Sequence, residues 1–229
     1  MNRGMLWGVG VGPGDPELIT VKALRTMRES DVILVPGRSV PQSTAYRIAA
    51  AACPEIGHKQ QLALEMPMTM DHDERDACHE EAADRICGLL EEGKMAAFLT
   101  LGDPSLYSTY LYVQEKVLER GYRAGFVSGV PSFCAAAARL NIGLTEDAEQ
   151  LHILPASYDT EPFLRLPGTR ILMKAGKNMK ELRTRLKGLP DEVYLAENCG
   201  MAGEALYTSA EDIPDDTGYF SLVIVKNRK

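Results

Sequence analysis

The sequence predicts an α/β protein of two domains: a parallel sheet covered by helices on both faces, then an α+β domain with a mixed sheet. Three observations predict it. Up to residue 128, short apolar runs alternate with helical patterns. After "GVPS" (129–132) the rhythm changes to closely spaced strands with one strong helix among them. Glycine- or proline-rich turns recur where the apolar runs end, the edge at which open α/β sheets bind ligands.

In the first domain the strand-forming runs are "LWGVGV" (6–11), "DVILV" (31–35), "MAAFLTL" (95–101) and "RAGFVS" (123–128). Helical patterns cover 17–29, 43–53, 72–92 and 106–120. Near-continuous apolar strands suit a parallel sheet buried on both sides. In the first helix Leu18, Val21, Leu24 and Met27 recur every three residues, as one buried face requires. Asp15 before Pro16 reads as an N-cap with a first-turn proline, Thr20 being the alternative cap. In the second domain a small-residue helix, "PSFCAAAARL" (131–140), leads to strands at 150–156, 169–175, 192–198 and 219–225, with a helix at 177–187. The expected division is 1–128 and 129–229, and a crevice between two such domains is the default ligand site.

Composition narrows the function. With 45% hydrophobic and 25% charged residues the chain reads as an ordinary globular protein, and its apolar runs fall far short of a bilayer span. A net charge of -7 disfavours a nucleic-acid backbone as the main partner. Five scattered cysteines with no CxxC, and no basic-then-apolar leader, predict a reduced, cytoplasmic protein.

The glycine-rich stretch "GVGVGPGDPELIT" (8–20) resembles a phosphate cradle, yet both phosphate patterns fail. Counted from Gly8 the sixth position of GxGxxG is Pro13, and counted from Gly10 it is Asp15. No Gly-Lys-Ser/Thr follows for a Walker A loop, and Asp15 and Glu17 stand where an anion would bind. Either this is a plain strand-to-helix turn, or backbone there approaches a bulky uncharged or cationic ligand closely. "LTLGDPSLYSTY" (99–110) places Asp103 just past a strand end, as an acceptor for a hydroxyl, amine or positive centre or as a cap for the chain from Ser105 onward. "SGVPSF" (128–133) repeats the grammar. None of the three turns carries a basic residue, which suits a neutral-to-cationic ligand.

"GVGPGDPELIT" (10–20), "GDPSLYSTY" (102–110) and "GVPSF" (129–133), in this order, resemble the tetrapyrrole methylase family of corrin biosynthesis. The resemblance continues through "ILMKAGKN" (171–178), "YLAENCG" (194–200) and "YFSLVIVK" (219–226). Leu101 and Pro131, where many relatives have glycine and serine, match the subgroup that methylates C20 of precorrin-2 or cobalt-factor II. The resemblance implies a two-domain α/β fold of the tetrapyrrole methylase type, a homodimer, and S-adenosylmethionine held in the crevice between domains. Leu101, Gly102 and Asp103 would line its methionine and ribose portion, with Tyr107, Val130 and Pro131 alongside. Met173 and Glu197-Asn198-Cys199 would close over the adenine side. Gly12, Pro13, Gly14 and Asp15 would face the tetrapyrrole trough.

The expected reaction is in-line methyl transfer from the sulfonium to the C20 meso carbon, with Asp103 orienting the donor. Arg38 after "VPG", Lys174 and Lys177 are candidates for the substrate's carboxylates. Methylation of another corrin carbon, and non-catalytic tetrapyrrole binding, are the alternatives. No metal site is expected, since cobalt would arrive with the substrate. His72, Cys78 and His79 in "MDHDERDACHEE" (70–81) read as a solvated helix face, and His58 and His152 as structural. Tyr110 and Tyr112 read as core or dimer packing, and "CAAAA" (134–138) as close helix packing.

Overall fold

The computed structural model describes residues 4–66 and 71–228, and the chain divides into two compact units, Met1–Pro131 and Ser132–Lys229. In the first unit the elements are β1 (Met5–Gly10), α1 (Val21–Glu29), β2 (Val32–Pro36), α2 (Thr44–Ala52), β3 (Gln60–Leu64), α3 (His72–Glu91), β4 (Met95–Thr100), α4 (Thr109–Glu119) and β5 (Arg123–Val127). The five strands pair in parallel in the order β3-β2-β4-β1-β5. Because successive side chains point to opposite faces, the central strands feed two cores. Val9, Ile33, Ala97 and Leu99 pack with Ala23, Met27, Ile48 and Ala49 of α1 and α2. Leu6, Leu34 and Phe98 pack with Ile86, Leu90, Tyr110 and Val113 of α3 and α4. This is the predicted parallel sheet with helices on both faces.

Both predicted caps form, one after the other. Asp15 caps a 3₁₀ turn at Pro16–Leu18, accepting from Glu17 N, and Thr20 Oγ1 then accepts from Ala23 N at 3.1 Å to start α1. Starting the helix at Thr20 keeps Leu24 and Met27 of the predicted face against the core but turns Val21 outward. Val21 is 83% exposed, and the buried positions are Ala23, Thr26 and Met27. The predicted helix at 106–120 begins only at Thr109, because Tyr107 adopts φ +49° and Ser108 caps from its side chain. Strand β3 is absent from the sequence reading. It is an edge strand opening on two glutamines, and Gln61 donates to Tyr46 and to two backbone carbonyls.

The expected solvated face of α3 holds for His72, which is exposed, but not for His79, which is 2% exposed. Its ring stacks on Tyr112 of α4 at 5.2 Å and 6° between planes. Met70, at the start of the run, lies outside the described residues. Burial lowers the His79 pKa below its ordinary 6.5, against the opposing pull of Asp76 and with the help of Lys116 and Arg75. The unfolded chain therefore takes up a proton at a pH where the folded chain does not, and stability falls as pH drops through about 6.5. His79→Phe, which keeps a flat ring against Tyr112, flattens that slope in urea unfolding between pH 7.5 and about 5.5. An unchanged slope in the variant would refute this assignment.

The second unit comprises α5 (Ser132–Leu140), β6 (Leu151–Pro155), α6 (Glu161–Leu164), β7 (Thr169–Met173), α7 (Met179–Lys187), β8 (Glu192–Glu197), β9 (Ala205–Tyr207) and β10 (Ser221–Lys226). Its sheet runs β6-β7-β10-β8-β9, with β6 and β7 parallel and the remaining pairs antiparallel, the predicted mixed sheet. The short β9 and α6 are not in the sequence reading, and a 3₁₀ turn at Ala175–Asn178 replaces the start of the helix at 177. His152 is structural as expected, bonding Pro167 O at 3.0 Å. At the beginning of β7 Arg170 is 3% exposed and holds Asp191 at 3.1 Å, Leu164 O at 2.9 Å and Asn227 at 2.9 Å.

Candidate active site

In the first unit the carboxyl ends of β1, β4 and β5 converge on one another through backbone. Val11 N donates to Thr100 O at 3.0 Å, and Gly12 and Gly102 exchange both hydrogen bonds, at 3.3 and 2.8 Å. Side chains are excluded there. A Cβ on Gly10 would sit 2.5 Å from Gly129 N and 2.7 Å from Gly102 O, and one on Gly129 only 2.1 Å from Gly102 O. Gly12 and Gly102 also need left-handed backbone, at φ +76° and +71°. Gly8 is glycine for a different reason: the Tyr110 ring lies 2.4 Å from where its Cβ would be. The Tyr110 hydroxyl is tied to Gly125 O, and burial raises its pKa. The glycine-rich opening is thus one of three strand ends packed without side chains between them.

Asp103 secures this convergence. It is 8% exposed, and its two carboxylate oxygens point to different loops. Oδ1 accepts from Ser105 N at 2.8 Å and Ser105 Oγ at 2.5 Å, while Oδ2 accepts from Gly129 N at 2.9 Å. Asp103 therefore caps the turn at Ser105, as the alternative reading expected, and also ties the loop after β4 to the loop after β5. A fourth contact brings in α1, whose capping Thr20 Oγ1 donates to Ser128 O at 3.3 Å.

The other sequence-predicted residues of this unit fall around that tie. Leu101 is half-buried against the α1–α2 core, Val130 and Pro131 are half-buried, and Tyr107 is 47% exposed. Gly12, Pro13 and Gly14 are buried, and Asp15 spends its carboxylate on Glu17 N at 2.9 Å. Arg38, beyond β2, is exposed and paired with Glu65 at 2.6 Å.

The second unit builds a similar glycine-cleared cluster from β7, β8 and β10. A Cβ on Gly176 would lie 2.1 Å from Gly218 O, and Gly218 N donates to Glu197 Oε1. Met173 ends β7 half-buried, Lys174 follows it exposed at φ +59°, and the Lys177 side chain lies outside the described residues. Asn198 holds φ +50° by donating from its backbone to Phe220 O at 3.0 Å and from Nδ2 to Gly203 O at 3.3 Å. Cys199 is buried. Among the described residues five non-glycine residues have positive φ, and Tyr107, Lys174 and Asn198 are three of them.

Sequence reasoning missed Gly176, Gly218 and Glu204. The glycines in "KAGKN" and "DTGYF" were the available signal for two of them. Glu204 accepts from Gly200 N at 2.9 Å and from Arg139 Nε at 3.0 Å, and Arg139 with that N–H holds its carboxyl below the usual range. Among the described residues, the buried hydroxyls of Thr100 and Thr217 have no hydrogen-bond partner, and each adjoins one of the two clusters. No group of His, Cys, Asp and Glu among the described residues could hold a metal ion, and no described helix is long and apolar enough to cross a membrane.

A parallel five-stranded sheet whose carboxyl edge is cleared by glycines, followed by a mixed five-stranded sheet, defines a two-unit α/β protein. Residues 5–214 match the family model of the tetrapyrrole (corrin/porphyrin) methylases, and the chain belongs to that family. It is 35% identical to a probable cobalt-precorrin-2 C(20)-methyltransferase of Methanocaldococcus jannaschii, over 98% of this chain and 96% of that protein. It is 28% identical to the precorrin-2 C(20)-methyltransferase of a Sinorhizobium species, over 99% of this chain and 96% of the relative. Among solved structures it shares the fold of uroporphyrin-III C-methyl transferase from Thermus thermophilus complexed with S-adenosyl homocysteine. The TM-score is 0.70 at 20% identity, covering 97% of both chains.

Proposed function

We propose that this protein transfers a methyl group from S-adenosylmethionine to the C20 meso carbon of precorrin-2 or cobalt-factor II in corrin (cobalamin) biosynthesis. The observation that carries the reading is the identity to the Methanocaldococcus C20 enzyme, which extends over nearly the full length of both chains. The Leu101 and Pro131 positions that marked the C20 subgroup in the sequence agree with it.

The residues fit S-adenosylmethionine as donor. Nothing lies within 4 Å of a Cβ built on Gly102 except Val130 O at 4.0 Å, so ligand can approach backbone there. Neither 99–110 nor 127–134 contains Lys or Arg, which leaves a sulfonium unopposed by like charge. The orphaned hydroxyls of Thr100 and Thr217 offer polar partners beside each cluster. S-adenosylmethionine supplies an electrophilic methyl on a sulfonium sulfur, and C20 of the reduced macrocycle, made nucleophilic by conjugated ring nitrogens, replaces its proton with that methyl.

The chain's own contribution is then positional. Leu101, Gly102, Tyr107, Val130 and Pro131 hold the methionine and ribose side, and Met173, Glu197, Asn198 and Cys199 the adenine side. Asp103 keeps the first of these loops in register. Gly12, Pro13 and Gly14, together with Asp15, face the tetrapyrrole, whose carboxylates meet Arg38 and Lys174. Exclusion of water from the reacting centre matters as much as contact, since water would screen the sulfonium. The same reading includes a homodimer, which rests on the family resemblance, working in the cytoplasm, which rests on the scattered cysteines.

Two readouts test the proposal. Calorimetry with S-adenosylhomocysteine gives saturable binding, and incubation with S-adenosylmethionine and either tetrapyrrole yields a product that carries one methyl group in place of a hydrogen. Absence of binding under conditions where the protein is folded would favour a non-catalytic tetrapyrrole-binding protein instead.

A further inference from the structure

We propose that Glu204 is a positioning residue for the donor site, and that with Arg139 it couples α5 to the turn after β8. The inference rests on the reading above, in which Glu197–Cys199 lines the donor.

The turn that follows β8 is an awkward piece of backbone. Asn198, Gly200 and Gly203 all take positive φ, at +50°, +73° and +80°. Its internal hydrogen bonds run from Met201 N to Asn198 O and from Glu204 N to Met201 O, at 2.8 and 3.2 Å. Glu204 closes the turn from outside by accepting Gly200 N at 2.9 Å. Its side chain is only 18% exposed, so this carboxylate works in surroundings that weaken its competition from water.

The same carboxylate receives Arg139 through Nε, 3.0 Å from each oxygen, and through Nη2. This side-on grip adds orientation as well as attraction. Arg139 lies in the last turn of α5, which begins at Ser132 directly after Pro131. It thus stands about 10 Å along the helix from Ser132. A displacement of α5 is transmitted through Arg139 and Glu204 to Gly200, and from there to Asn198 and Cys199. Neither residue needs to touch ligand to do this.

Glu204→Gln keeps an oxygen for Gly200 N but turns an NH₂ toward the guanidinium. Arg139→Ala removes the grip at a site 59% exposed, where folding is tolerant. The expected result for Glu204→Gln is a rise of about tenfold in the dissociation constant of S-adenosylhomocysteine, close to 1.4 kcal/mol. The donor KM rises in step while kcat at saturating donor stays near wild type. Arg139→Ala moves the same two quantities in the same direction, and the double variant is no worse than the more affected single one. Arg165→Ala, which removes an exposed pair with Glu161, leaves affinity unchanged. Wild-type affinity in both Glu204→Gln and Arg139→Ala, or effects that simply add in the double variant, would overturn the coupling while leaving the donor site intact. Failure of the wild-type protein itself to bind S-adenosylhomocysteine would overturn the donor site, and the coupling with it.

Discussion

Replacing Asp103 with alanine lowers kcat/KM for methyl transfer about a hundredfold, the penalty expected when a reacting pair is held an ångström out of place. The carboxylate satisfies three donors at once: Ser105 N, Ser105 Oγ and Gly129 N. Without it the loops after β4 and β5 lose their direct tie, and Gly129 N is left without its acceptor at a point where no side chain can enter to replace it. The fold itself survives, because losing the acceptor for one such N–H costs about 1–3 kcal/mol. Asp103→Asn is the sharper variant. It keeps the size of aspartate, yet whichever way the amide is turned its nitrogen must face a donor. Asparagine is therefore nearly as damaging as alanine in steady-state kinetics. Full turnover in the asparagine variant would mean that Asp103 does not act through both loops.

The largest loss of stability is expected from Arg170→Met. Arg170 and Asp191 have side chains 4% and 11% exposed, and removing the guanidinium strands a carboxylate that water barely reaches. Breaking such a pair from one side costs about 3–5 kcal/mol. The double replacement Arg170→Met with Asp191→Leu recovers most of that loss, since the desolvated charge disappears along with its partner. Denaturant unfolding of the three variants measures it. A single variant as stable as wild type would show that Asp191 finds other compensation.

The parallel sheet and its four long helices were legible because apolar runs of strand length alternate with helical spacing, and burial on both faces makes those runs nearly continuous. Features set by one residue were harder. Tyr107 at φ +49° delays α4, and the restart at Thr20 turns Val21 outward; neither follows from periodicity. β3 begins with two glutamines at the edge of the sheet, so it carries no apolar run to find. His79 looked solvated among acids, but its neighbour in space is Tyr112 on the next helix.

The candidate site divides in the same way. The segments were visible as glycine and proline turns, and the order of those turns pointed to the family. What the turns do to one another was not visible. Gly129 follows Asp103 by 26 residues, and Arg139 precedes Glu204 by 65, so both partnerships exist only once the sheets have formed. The glycines of 8–14 illustrate the difference. Their number suggested a phosphate loop, whereas Gly10 is required because two other glycine backbones occupy the space of its side chain.

The most direct test of the proposed function is the position of the new methyl group. Incubating the protein with precorrin-2 or cobalt-factor II and S-adenosylmethionine carrying ¹³C in its methyl, then reading the product by ¹³C NMR, locates it. The proposed function predicts one labelled methyl, bonded to C20. Label at any other corrin carbon, or no transfer to either tetrapyrrole, would contradict it.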